Sequence, residues 1–177
     1  AGMTHPEGAV EPGAVRIDAI SVEEAGPLRA VIRLEGEAVV KEPPRVILRL
    51  EAYANRPFVR VIHSVEFTQR DPRRVFVRRM GLRLPLTLDK VGRKLAAGGE
   101  NGAVVLPDAG RTGLRQTSHL NYEIWQTARG ARRRQVRESA HCSRGWLDVA
   151  DERSGLTVIE RDMWQEYPKE LCFDGAS

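Results

Sequence analysis

An alternation of apolar and polar residues with a period of two constrains the fold of this chain more than any other feature. In "PLRAVIRLEG", Ile32 and Leu34 alternate with Arg33 and Glu35. Successive side chains of a strand point to opposite faces, so this pattern predicts a strand with one apolar face. No apolar stripe of helical period and useful length occurs. The chain is therefore expected to be all-β.

The same alternation recurs along most of the chain. "PPRVILRLEAYANRPFVRVIHSVEFTQRDPRRVFVRRMGLRLPL" predicts three further strands, and "LRQTSHLNYEIWQ" (114–126) predicts one more. "GWLDVADERSGLTVIERDMWQ" predicts a hairpin that turns at "ADERSG", and the Gly-rich stretch 89–113 is expected to be a hairpin excursion or a long loop. Long alternating strands favour large antiparallel sheets packed face to face, which is a β-sandwich. In the last strand of the first group, the residues expected to face inward are Phe76, Met80, Leu82, Leu84 and Leu86.

Composition narrows the function classes without choosing one. The formal net charge is +4, and most of the cations are Arg, which suits an acidic polysaccharide as a partner. The basic run "ARRRQVR" (131–137) is interpreted as a solvated loop or an edge strand, and nucleic-acid binding is the weaker alternative. Residues 1–18 are expected to be a linker and residues 19–177 a single domain. Cys142 and Cys172 are expected to be unpaired thiols.

No metal or cofactor motif is found, and no apolar run suits a membrane span. We therefore expect no cofactor and no membrane partner. The start of the chain has no signal-peptide character, which leaves the compartment open: secreted or periplasmic if the parent is a secreted enzyme, and cytoplasmic if it processes oligosaccharides.

Two segments carry polar and aromatic residues that suit a sugar site. In the first, His119, Asn121, Glu123 and Trp125 share one face of a predicted strand, where Trp would stack on a sugar ring. The alternative is a solvated sheet face. His63 lies on an apolar strand face and is expected to be a core residue, while His141 is expected in a loop.

The second segment is "GLTVIERDMWQEYPKEL" (155–171), which begins like a strand and ends among aromatic and charged residues. Asp162 and Trp164 are predicted to continue one face, and Pro168 ends the strand. Strand ends are where sandwiches display binding residues. The alternative is a Trp–Tyr pair that closes the core, with Arg161 and Asp162 as a local ion pair.

The segment "GWLDVADERSGLTVIERDMWQEYPKEL" resembles part of the exo-rhamnogalacturonan lyase family, the PcRGLX/YetA-like proteins. The family pattern has "GW", "V-x-D", a "G-x-T/A-V" strand and "RDFWQ-x-xPK", and Met163 stands where the family often has Phe. The segments 23–36 and 78–86 also resemble the family. The resemblance implies the central β-sandwich of a larger enzyme, with a large antiparallel sandwich (supersandwich, galactose-mutarotase-like) as its fold. A barrel-like domain would precede it and an α/α toroid would follow it.

The resemblance also implies an activity, which is β-elimination at uronate residues of rhamnogalacturonan, a pectin. Such a reaction needs a group that neutralises the carboxylate, a base and an acid. Arg161 or Lys169 would neutralise, Tyr167 or His119 would transfer protons, and Trp164 or Trp125 would stack the sugar. The further residues expected to bind substrate are Asp162, Gln165 and Asn121. The competing hypothesis is a non-catalytic carbohydrate-binding or scaffolding sandwich.

Overall fold

The computed structural model describes residues 14–40, 42–68, 80–108, 110–127 and 134–175. These residues form antiparallel strands and no α-helix, which confirms the predicted all-β class. Their contacts divide the chain into an N-terminal unit, Ala1–Arg83, and a C-terminal unit, Leu84–Ser177. The strands are β1 Val15–Ala25, β2 Arg29–Ala38, β3 Arg45–Tyr53, β4 Val59–Glu66, β5 Lys94–Gly99, β6 Gly102–Leu106, β7 Arg111–Ser118, β8 Asn121–Thr127, β9 Arg134–Ser139, β10 Trp146–Ala150, β11 Gly155–Ile159 and β12 Lys169–Asp174.

The N-terminal unit is an antiparallel meander with the strand order β1-β2-β3-β4. Its register places the apolar residues of neighbouring strands on one face: Ile32 is opposite Leu50, which is opposite Val61. His63 lies on this apolar face opposite Leu48, where the alternation placed it. Strands β2, β3 and β4 are thus formed by the predicted segments.

Strand β1 was missed by the sequence pattern and begins at Val15, inside the segment predicted to be a linker. Two register shifts interrupt its pairing with β2, between Ile17 and Ala19 and between Val22 and Glu24. Each bulge adds a residue, so the apolar side chains of Ile17 and Ile20 are three positions apart instead of two. A strict period of two therefore cannot detect this strand.

The opposite face of the N-terminal sheet is a ladder of ion pairs. Glu23 accepts from Arg49 at 2.7 Å and from Arg33 at 3.0 Å, and Arg33 also contacts Glu35 at 2.7 Å. The hydrogen bonds from Arg49 and Arg33 lower the pKa of Glu23. Such partly exposed pairs contribute little stability each, but they keep this face polar and its charges matched.

The predicted strand over 75–86 is wrong for its described part. Residues 80–88 pair with no strand, and Met80, Leu82, Leu84 and Leu86 are exposed instead of facing inward. Pro85 lacks the N–H that a ladder requires, which fits this lack of pairing. Phe76 and the turn predicted at 69–73 lie outside the described residues.

The C-terminal unit is a sandwich of two four-stranded sheets, with the orders β11-β10-β5-β6 and β12-β7-β8-β9. Both sheets contribute fully or nearly fully buried side chains to one core. The buried members of this core are Leu95, Ala97, Leu106, Leu114, Tyr122, Ile124, Leu147, Val149 and Met163. The large antiparallel β-sandwich expected from the alternation is therefore present in this unit.

The segment predicted as one strand at 114–126 is instead the hairpin β7–β8. Gln116 pairs with Tyr122 and Ser118 with Asn121, so the chain reverses at His119 and Leu120. The turn carries no Gly or Pro, and the alternation of apolar residues continues through it. The prediction that His119 and Trp125 share a strand face is consequently wrong.

Several further predictions about the C-terminal unit are confirmed. The 89–113 stretch contains the hairpin β5–β6, and the β10–β11 hairpin turns at 151–154. The backbone N–H groups of Asp89, Arg153 and Ser154 donate to the Asp151 carboxylate and lower its pKa to about 2. Strand β9, in the basic run, is an edge strand, and both cysteines are unpaired.

Gly113 lets the Trp125 ring pack directly on strand β7. A Cβ at this position would lie 2.5 Å from Trp125 Cε2, which no real contact tolerates. We expect Gly113→Ala to lower the free energy of unfolding by about 1–3 kcal/mol, because the buried ring must shift. Urea unfolding measures this loss. Gly81→Ala is the matched control, since no atom lies within 4 Å of the added Cβ, and equal losses in both variants would contradict the packing argument.

His63 gives the stability of the N-terminal unit a pH dependence. Burial lowers the pKa of its imidazole below the ordinary value of 6.5. The unfolded chain therefore binds a proton at higher pH than the folded chain, and stability falls as the pH drops from about 7 to about 5. We expect His63→Leu to flatten this part of the curve of unfolding free energy against pH. An unchanged slope in the variant would refute the assignment.

Candidate functional site

The connection from β11 to β12, residues 160–168, crosses from one sheet of the C-terminal sandwich to the other. We call it the crossing loop. Its Met163 side chain is 2% exposed and belongs to the core, although it lies outside any strand. Gly145, with φ of 66°, makes room for it, because a Cβ there would lie 2.9 Å from both Met163 Cβ and the Glu160 carbonyl oxygen. The loop is thus anchored from inside the core.

Asp162 turns the crossing loop sharply. Its φ is 55°, in the left-handed region, and its carbonyl accepts from the backbone N–H groups of Gln165 at 3.1 Å and Glu166 at 3.0 Å. Strand β11 ends at Ile159, so the prediction that Asp162 and Trp164 continue a strand face is wrong. Because the chain turns at Asp162, the side chains of the crossing loop lie closer together than they would along a continuing strand.

Lys169 fastens the two ends of the crossing loop together. Its Nζ donates to Glu160 Oε1 at 2.6 Å, to Glu166 Oε2 at 2.7 Å and to the Arg161 carbonyl at 3.3 Å. Burial lowers the pKa of the ammonium, but the bonds to Glu160 and Glu166 outweigh that effect, so the pKa lies above its ordinary value. The hydrogen bond from Lys169 Nζ also lowers the pKa of the Glu166 carboxyl. Lys169 is fully engaged within the loop.

Most side chains of the crossing loop are exposed to solvent, among them those of Arg161, Trp164 and Tyr167. Trp164 is 42% exposed and Tyr167 is 45% exposed, so they do not form a pair that closes the core. The Arg161 side chain is 80% exposed and contacts Asp162 at 3.4 Å, which is the predicted local ion pair. These residues remain available to a ligand.

The structure brings two of the sequence-predicted proton-transfer residues together. The rings of His119, in the β7–β8 turn, and Tyr167, on the crossing loop, have centroids 6.3 Å apart. The His119 turn is held by the β9–β10 loop, because Cys142 Sγ donates to the His119 carbonyl at 3.0 Å. Two elements that are distant in sequence thus fix one exposed pair.

The buried side chain of Gln116 holds the β9–β10 loop through hydrogen bonds to Ser143. It is fully buried, its Oε1 accepts from the Ser143 backbone N–H and hydroxyl at 3.0 and 2.8 Å, and its Nε2 donates to the Ser118 carbonyl at 2.8 Å. A buried amide whose oxygen and nitrogen are both hydrogen-bonded holds its neighbours in place. Gln116 therefore couples the turn that carries His119 to the residues next to Ser143.

An open cleft of about 530 Å³ lies on the crossing loop, beside Trp164. One wall is Trp146, whose ring lies so close to Gly98 that a Cβ there would be 2.4 Å from its Nε1. Arg144 adds a positive charge. The lining residues are Ser143, Arg144, Trp146, Glu160, Asp162, Met163, Trp164 and Gln165.

Some predicted site residues lie elsewhere or have other duties. The Trp125 ring is 5% exposed and packs on Gly113, so it offers no face to a sugar here. Asn121 is exposed, and its amide donates to Ser118 Oγ at 2.9 Å. Arg144 and Trp146 were not predicted as binding residues; the only signal was the "GW" pair, which was assigned no role.

Among the described residues, no group of three or more His, Cys, Asp and Glu side chains is placed to hold a metal ion. Nor does that part of the chain contain a helix with the length and apolar character of a membrane span.

Comparison with known proteins gives one family. A family model described as the PcRGLX-like protein central beta sandwich domain matches residues 5–128. The match includes the predicted strands from 23 to 86 and the hairpin β7–β8, and it ends before the crossing loop. No curated protein matches the chain.

Lys169 is expected to act as the fastener of the crossing loop. In Lys169→Met, Glu160 and Glu166 lose their shared partner, so we expect faster hydrogen exchange at the amides of Gln165 and Glu166, which close the Asp162 turn. An increase of about tenfold corresponds to the loss of about 1.4 kcal/mol of local stability. Lys94→Met is the matched control, because Lys94 is exposed on β5. Unchanged exchange in Lys169→Met would show that Met163 alone holds the loop.

Proposed function

Because the chain belongs to the PcRGLX-like proteins as their central β-sandwich domain, we propose that it is part of a polysaccharide lyase that cleaves rhamnogalacturonan-type pectin by β-elimination. The observation that carries the proposal is the exposed pair of Tyr167 and His119, with ring centroids 6.3 Å apart. The crossing loop, which carries Tyr167, also presents Arg161. A phenol and an imidazole side by side are proton-transfer groups, and a guanidinium suits a carboxylate.

The chemistry uses these groups as follows. A base removes the proton at C5 of the uronate, the electrons form the C4–C5 double bond, and the bond from C4 to the leaving oxygen breaks. An acid returns a proton to that oxygen. Tyr167 and His119 are assigned to these two proton transfers. Neutralising the uronate carboxylate makes the C5 proton more acidic, and this role goes to a cation.

Arg161 suits that role better than Lys169. The ammonium of Lys169 has three acceptors within the loop, and breaking them would leave Glu160 and Glu166 unpaired. Among the described residues, the Arg161 guanidinium contacts Asp162, and its side chain is 80% exposed. A planar guanidinium also binds a carboxylate through two parallel hydrogen bonds.

The proposal extends to the partners of this domain. The substrate is an acidic polysaccharide, and the parent enzyme adds a barrel-like domain before this sandwich and an α/α toroid after it. The cleft beside Trp164 and Gln165 would hold part of the polymer. If the toroid supplies the base, this domain contributes binding and charge neutralisation, and it is inactive by itself.

The full-length parent protein tests the proposal with rhamnogalacturonan I as substrate and ultraviolet absorbance of the unsaturated uronate as readout. We expect wild type to form product, and Tyr167→Phe to lower kcat by about 10²-fold or more, because the proton-transferring hydroxyl is lost. We expect Arg161→Ala to lower kcat/KM through weaker binding of the carboxylate.

Two control variants make the same chemical changes elsewhere. Tyr53→Phe removes a hydroxyl from the N-terminal unit and Arg153→Ala removes an exposed guanidinium from the β10–β11 turn, so both should form product like wild type. If Tyr167→Phe and Arg161→Ala also behave like wild type, the crossing loop only packs and the chemistry belongs to other residues. A wild-type protein that binds the polymer without forming product would favour a non-catalytic carbohydrate-binding domain.

A further inference from the structure

We infer that the cleft beside the crossing loop is a subsite for a single acidic sugar residue, with Arg144 as the partner of its carboxylate and Trp146 and Trp164 as the surfaces that contact its ring. The inference deepens the proposed function and rests on it for the identity of the polymer. The site itself is argued from the lining residues alone.

The walls of the cleft suit a sugar ring. Trp164 is 42% exposed, and Trp146 is held by its contact with Gly98. The apolar C–H face of a pyranose packs against an indole, while its hydroxyls need polar partners at the edge. Gln165, which also lines the cleft, supplies an amide that both donates and accepts. A free phosphate has no apolar face and would leave both indoles unused.

The charges of the cleft favour an anionic sugar over a neutral one. Each of its two acidic side chains has a cationic partner: Glu160 accepts from Lys169 at 2.6 Å, and Asp162 contacts Arg161 at 3.4 Å. Neither Lys169 nor Arg161 lines the cleft. The cation that does line it is Arg144, so an incoming carboxylate meets one positive charge.

Arg144 is held in place by the backbone rather than by an acid. Its backbone N–H donates to the Gly98 carbonyl at 3.0 Å, and its side-chain Nε donates to the Glu100 carbonyl at 3.4 Å. Within the described ranges, no carboxylate lies within 4.0 Å of its guanidinium. The two terminal nitrogens therefore present the fork that binds a carboxylate through paired hydrogen bonds.

The buried amide of Gln116 explains how this geometry is maintained. It accepts two hydrogen bonds from Ser143, the residue before Arg144, and it also holds the turn that carries His119. The same buried group therefore supports one region of the cleft lining and the turn that carries His119. The crossing loop carries Tyr167 and also contributes Asp162, Met163, Trp164 and Gln165 to the cleft.

Tryptophan fluorescence of the full chain tests the inference directly. The chain has three Trp residues, and Trp146 and Trp164 line the cleft while Trp125 is buried elsewhere. Titration with galacturonate should give a saturable change, and galactose should bind about tenfold more weakly or worse. We expect Arg144→Ala to weaken galacturonate binding by about 10- to 100-fold, as the loss of a charge-assisted pair predicts.

Three further titrations sharpen the result. Arg153→Ala, the matched control, should bind galacturonate like wild type, since Arg153 lies in the exposed β10–β11 turn. Trp164→Ala should weaken galacturonate binding and leave a smaller signal from Trp146, with thermal unfolding unchanged, because the Trp164 side chain is exposed. Inorganic phosphate should not compete. Equal affinity for galactose, or full affinity in Arg144→Ala, would overturn the inference, as would competition by phosphate at equal concentration.

Failure of this inference is distinguishable from failure of the proposed function. If galacturonate binding depends on Arg144 but the polymer yields no unsaturated product, the subsite is supported and the proposed lyase activity is rejected. If product forms while Arg144→Ala keeps both its galacturonate affinity and its KM, the lyase stands and the subsite is wrong.

Discussion

The burial of Met163 is the constraint on which the candidate site depends. It is a core residue of the C-terminal sandwich that lies outside the strands, and it fixes the crossing loop between the two sheets. Burying a side chain of this size contributes about 1.5–3 kcal/mol, more than any single exposed ion pair on the loop. Gly145 is required beside it, because a Cβ would collide with Met163 and with the Glu160 carbonyl. Burial of Met163 therefore fixes the positions of the exposed residues of the crossing loop.

The strands that the sequence predicted well are those whose alternation is unbroken. Strands β2 to β4 and the β10–β11 hairpin keep a strict period of two and are bounded by Gly, Asn or Pro. The bulges of β1 shift its apolar residues out of phase. The β7–β8 turn failed for the opposite reason: the alternation continues through a reversal that has neither Gly nor Pro. The local alternation of apolar and polar residues indicates that a strand is present, and hydrogen-bonded pairing with its neighbours determines where the strand ends.

The sequence indicated some residues of the candidate site but not its shape. The concentration of Arg161, Trp164 and Tyr167 pointed to a binding surface, but the strand geometry assigned to them does not occur, because Asp162 reverses the chain. Arg144 and Trp146 reach the same surface from another connection, through the sandwich topology and the Gln116–Ser143 hydrogen bonds. Contacts of that kind depend on tertiary packing, which a period in the sequence does not contain.

The charges of the crossing loop divide into two classes with different consequences. Lys169 forms ion pairs with Glu160 and Glu166, so its ammonium group stabilises the crossing loop. Arg161 and Arg144 are tied mainly through a neighbouring residue or through backbone carbonyls, and neither faces a pair of carboxylates. The structural cation, Lys169, is thus distinct from the two exposed guanidinium groups of Arg161 and Arg144. A carboxylate that approached Lys169 would have to displace two acids, whereas Arg144 has no carboxylate partner among the described residues.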